Sequence, residues 1–170
     1  MARTSIISKL TNFGPIILLY YLSISEIDTH FENYFEILSF NLQLIIIYFW
    51  ALKSPSVLGN GHIFVAGLIN DVVLGFPLGL SSLTFLTVSL IATYIKNMTV
   101  HTTIASDWFT FFIALSLSNL IFYFLVSNFS EISISLKEIS YNTFFTLTFF
   151  PFFWIFFTYY NSFIKVDKNA

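Results

Sequence analysis

The chain has no cysteine, which excludes a disulfide framework, a thiolate metal site and a cysteine nucleophile. Charge is almost as scarce: Asp, Glu, Lys and Arg make up 9% of the residues, where a soluble domain carries about a quarter. The seven basic residues form no cluster and the formal net charge is only −2, so no patch exists to track phosphates and nucleic acid is set aside as a partner. The three histidines, His30, His62 and His101, lie in or beside polar segments without a second histidine at metal-ligand spacing. There is no Gly-x-Ser-x-Gly elbow, and every lysine lies in a terminus or a loop, away from any membrane-embedded serine. No catalytic residue, metal or cofactor is expected, and the chain reads as a non-enzyme.

What fills the sequence instead is apolar: 56% hydrophobic residues, 21% aromatic, 23 of them Phe, and a mean hydropathy of +0.81. That is the composition of an integral membrane protein. The segments from Leu10 to Ser25 and from Ile37 to Leu52 read as the first two spans, separated by the acidic stretch Glu26 to Glu36. Between Val57 and Ile95 the only formal charge is Asp71, and a single helix of that length would be roughly 58 Å long, about twice the hydrocarbon thickness. The run must therefore cross twice. Gly75-Phe76-Pro77 marks the reversal, because Gly suits a helix end and Pro the first position of a new helix. Spans three and four are expected over 57–75 and 77–95, the fifth over 107–127 with Ser106 as N-cap, and the sixth over 139–164 with a kink at Pro151.

Six spans put both termini on one side, and the charges can be counted against that. Arg3, Lys9, Lys53, Lys96, Lys165 and Lys168 fall on the terminal side and only Lys137 on the other. Lys and Arg accumulate in cytoplasmic segments, so both termini are expected inside.

Gly67, Asp71 and Gly75 are four apart and share one face of span three. Small residues at that spacing let a second helix approach closely. A carboxylate in the hydrocarbon costs about 2.5–3.5 kcal/mol on insertion scales, so Asp71 needs a partner or a proton. It is either a helix-packing acid satisfied by hydrogen bonds, a contact for another membrane protein, or part of an ion or substrate relay. Side chains lean toward their own helix N-terminus, which points Asp71 away from the start of span four. Capping of that helix is therefore not expected. Asn41, Gln43 and Asn119 lie at similar depth on spans two and five, which predicts a buried polar cluster of Asp71 with Asn41 or Gln43, and with Asn119.

The stretch Tyr48 to Leu83 resembles the rod shape-determining MreD family. The matching positions are Tyr48, Trp50, Ala51 and Pro55, then Gly67, Leu68 and Asp71, then Gly75, Pro77, Leu78, Gly79 and Leu80, with Phe49 inserted between Tyr48 and Trp50. The resemblance implies an all-α, six-span, N-in/C-in protein of the bacterial inner membrane, similar in fold to the substrate-binding subunits of energy-coupling-factor transporters. It implies a scaffold of the cell-elongation complex with MreC as partner, together with RodA and its penicillin-binding transpeptidase, and MreB directly or indirectly. Gly67, Asp71, Gly75, Pro77, Leu78 and Gly79 would form its helix-packing or partner-interface motif. The alternative is a substrate-binding subunit of a vitamin transporter, which needs a pocket with convergent polar groups.

Overall fold

The computed structural model describes residues 2–25, 41–98, 103–129 and 135–168, with side chains described within 13–162. The expected acidic loop at 26–36 and the opening of the second span at 37–40 lie outside the described residues. Those described are all-helical: α1 Ala2–Ile24, α2 Leu42–Lys53, α3 Asn60–Leu74, α4 Leu80–Met98, α5 Ile104–Phe129 and α6 Leu136–Lys168.

The boundaries depart from the hydropathy reading where polar residues extend a helix or a turn shortens one. α1 starts at Ala2, not Leu10, so Pro15 lies inside the helix and not in its opening turn. α2 starts at Leu42 with Asn41 as its N-cap, the Asn41 side chain accepting from the Leu44 N–H. α5 is opened by Thr103, whose Oγ1 accepts from the Ser106 N–H and whose carbonyl accepts from that of Asp107; Ser106, the expected cap, lies within the helix. α6 runs as helix through Pro151.

α1, α3, α4, α5 and α6 form a closed ring, each packed on the next and α6 on α1, and α2 sits inside it against α1, α4 and α6. This explains its sequence. Leu44 to Leu52 is an unbroken apolar run and every residue of it is buried, as a helix apolar all round must be. Rings from the wall close on the hub: Phe157 of α6 packs on Phe49 and Trp50, and Phe111 of α5 stacks on Phe150 of α6 beside Tyr48.

The outer surface of the ring is apolar as well. Phe13, Ile17, Tyr21 and Ile24 form an exposed stripe on α1, as do Phe109, Phe112, Leu120 and Phe124 on α5 and Phe152, Phe156 and Tyr159 on α6. In water such a surface would be an aggregation hazard. α5 and the Leu136–Ser162 stretch of α6 are each long and apolar enough to cross a membrane, whereas α2 and α3, at 12 and 15 residues, are shorter than a span. α4 is long enough but carries Ser81, Ser82, Thr84, Thr87, Ser89 and Thr93. Three of those hydroxyls, on Thr84, Thr87 and Thr93, bond back to the carbonyl one turn earlier, so they need no outside partner.

Candidate functional site

The α3–α4 hairpin is built around Asp71. α3 ends on Gly75 in the left-handed region, φ 69°, with the Phe76 N–H donating to the Asp71 carbonyl at 2.9 Å. Gly79 is also left-handed, φ 100°, and the two glycines turn the chain so that α4 starts alongside the last turn of α3. The fully buried Asp71 carboxylate accepts from the Gly79 N–H at 2.8 Å and from the Ser81 N–H at 2.7 Å. These are orphan donors at a helix start, where the dipole also favours an anion.

Asp71 therefore caps α4, contrary to the sequence expectation. The expectation weighed only the tilt of the side chain along its axis. It missed how near the axes come: a Cβ on Gly67 would lie 2.4 Å from Ser82 Cα, so the two backbones touch and a short carboxylate reaches sideways. The Ser82 hydroxyl completes the seam by donating to the Phe64 carbonyl at 2.9 Å. The motif face is thus divided. Gly67 and Asp71 pack inside the hairpin, Gly75 supplies backbone conformation and faces open space, Pro77 is half-buried in the turn and Leu78 is 71% exposed.

One measurement tests the seam. Gly67→Ala must push the α3 and α4 backbones apart and is expected to lower stability in detergent by about 1–3 kcal/mol. Gly61→Ala on the same helix meets nothing within 4 Å, and should be neutral or raise stability by up to ~1 kcal/mol. Equal melting temperatures for the two variants would refute the close approach.

At the opposite end of the ring, Lys53 and Asp107 form an ion pair of 2.8 Å between the last residue of α2 and the first turn of α5. Each charge sits at the helix end whose dipole favours it. Asp107 Oδ2 also accepts from the Trp154 indole of α6 at 3.0 Å, the Lys53 ammonium lies over the Trp154 ring, and the Tyr48 hydroxyl reaches the Asp107 carbonyl. Asp107 Oδ1 and the Trp50 indole nitrogen are buried without a hydrogen-bond partner among the described residues. Sequence reasoning missed this centre because it used Lys53 only in the charge count and residue 107 only as the start of span five. The signal it could have used was that the end of span two and the start of span five fall on the same, terminal side of a six-span reading.

The predicted polar cluster is arranged differently from the expectation. Asn41, Gln43 and Asn119 do come together, but as lining of a cavity of about 290 Å³ rather than as direct partners of Asp71. Gln43 Nε2 donates to Ser23 Oγ of α1 and to Asn70 Oδ1 of α3; Asn70 Nδ2 donates to Ser81 Oγ, and the Ser81 N–H ends the chain on Asp71. Asn41 accepts the Leu44 N–H, and Asn119 Nδ2 donates to Thr143 of α6. Asp71 stands behind the cavity wall, linked to it through Ser81 and Asn70. Among the described residues no group of His, Asp and Glu could hold a metal ion.

No protein-family model matches the chain, and no curated protein or solved structure matches it. Function is therefore read from the chain itself.

Proposed function

We propose that the chain is a non-enzymatic, multi-pass scaffold of the bacterial inner membrane, of the MreD type, that holds together proteins of the cell-elongation complex. The observation that carries this reading is the ordered set from Tyr48 to Leu80. Tyr48, Trp50 and Ala51 are hub residues, Gly67 and Asp71 close the hairpin, and Gly75 and Gly79 turn it. The outer apolar stripes give lipid or neighbouring helices a surface to pack on. In the proposed topology, six crossings with both termini inside, Lys53 and Asp107 lie at the cytoplasmic end of the ring and the Asp71 hairpin turn at the other. MreC is the first expected partner, then RodA with its transpeptidase, and MreB.

Depletion in the rod-shaped host tests the reading. Cells are expected to widen and round while vitamin uptake stays normal, and MreC should co-purify in mild detergent; unchanged cell shape on full depletion rejects the proposal. The polar-lined cavity favours a second reading, the substrate-binding subunit of a transporter. Its mark would be co-purification of an ATPase module and lost uptake without a change of shape.

A further inference from the structure

The cavity lies among five helices, beside the starts of α2, α4 and α6 and the last turns of α3. Asn41 and Gln43 come from the start of α2, Asn70 from the last turns of α3, Ser81 from the start of α4, Asn119 from α5, and Glu138 from the start of α6. At about 290 Å³ it has room for roughly ten non-hydrogen atoms if each takes the ~30 Å³ of a water molecule. That is the size of one small ring with its substituents.

Its chemistry is selective. The described lining residues include no Lys, Arg or His, and Glu138 is their only ionisable member. Among the described lining residues a carboxylate or phosphate placed there would meet no counter-charge and one like charge. Two of the lining amides are held by bonds that use their nitrogen atoms, Gln43 Nε2 by Ser23 and Asn70 and Asn119 Nδ2 by Thr143, whereas Asn70 is bonded at both ends and Asn41 and Asn142 accept through their oxygens. Gln43 Oε1 and Asn119 Oδ1 accept no hydrogen bond from the described residues, and with the Glu138 carboxylate they give the cavity three acceptor groups on three helices. The remaining walls are Leu74, Phe76, Phe85 and Phe122, with Phe76 and Phe122 in edge-to-face contact at 5.7 Å. Fixed acceptors between apolar walls suit a ring with apolar faces and a rim of O–H or N–H donors.

We propose that this cavity is a binding site for an uncharged or cationic, donor-rich ring of single-sugar size, and that it rejects the anionic form of the same ring. The site does not depend on the scaffold reading, and its test involves no cell-shape measurement.

Three probes share one ring and differ in charge: glucose, glucosamine and glucuronate. Saturation-transfer NMR on the full chain in lipid nanodiscs should give saturable signals for glucose and glucosamine, with glucuronate at least about tenfold weaker. Gln43→Met and Asn119→Leu each remove one acceptor and should weaken both binders about tenfold or more. Glu138→Gln should bring glucosamine down to the glucose level and leave glucose unchanged. Gln43→Met keeps the side-chain length, and Asn119→Leu lies on another helix, so the pair still tests the site if either variant fails to fold. Including a glucosyl-diacylglycerol in the nanodisc distinguishes the source of the ring. Displacement of bound glucose upholds the site with a lipid headgroup as occupant, and no displacement upholds it with a free solute. Three results overturn the proposal: no saturable signal from glucose or glucosamine, equal binding of glucuronate, or binding unchanged in both amide variants.

Discussion

Lys53→Met is expected to destabilise the folded chain by about 3–5 kcal/mol, the usual cost of leaving a buried charge without its partner. Asp107 is fully buried and cannot turn to solvent, and among the described residues it would keep only the Trp154 indole as a side-chain donor. Asp107→Leu should cost less, about 1–3 kcal/mol, because the Lys53 side chain is 23% exposed and can move its ammonium toward water. The double variant should recover most of the loss, since replacing both members of a buried pair by apolar groups is often close to neutral. The measurement is reversible unfolding in mixed micelles as a double-mutant cycle. Additive losses in the double variant would show that the two residues are not coupled.

Asp71→Ala is expected to cost about 2–4 kcal/mol by the same assay, because two main-chain N–H groups lose a charged acceptor where there is no ready substitute. Neutral interhelical bonds in membrane proteins average only about 0.6 kcal/mol, since the separated helices find other partners. The Gly79 and Ser81 N–H groups differ from that case: they open a helix and have no carbonyl one turn back. Asp71→Asn should lose about half as much, its amide oxygen keeping one bond while its NH₂ opposes the other donor. Hydrogen exchange at Gly79 and Ser81 supplies the local check, with faster exchange in both variants. An Asn variant as stable as wild type would mean that the second bond contributes nothing.

How legible the fold was in the sequence depended on the kind of signal. Apolar runs broken by Lys53-Ser54-Pro55 and by Gly75-Phe76-Pro77 located the six helical segments, because a turn leaves a chemical mark where it occurs. The N-terminal extension of α1 to Ala2 left no such mark; a polar helix is invisible to hydropathy. α4 starts at Leu80 and not at Pro77 because Leu78 and Gly79 are used in the turn. Asp71 stood out as the lone charge beside Gly67, but its partner depended on the distance between two helix axes, which the spacing along one helix does not contain. The Lys53–Asp107 pair and the gathering of Asn41, Gln43, Asn70 and Asn119 around one cavity depend on how the ring closes. Nothing local in the sequence encodes that closure.

The central position of α2 sets a timetable for synthesis. α2 is the second helix made, yet α6, which helps to enclose it, is the last, and Phe157 of α6 packs on Phe49 and Trp50. At ribosomal speeds the interval between them is on the order of ten seconds. Throughout that interval the most apolar helix of the chain has an open flank. The core of this protein is therefore the last region of it to close, and a nascent chain stalled before α6 leaves its aromatic hub uncovered, where cellular quality control can detect it.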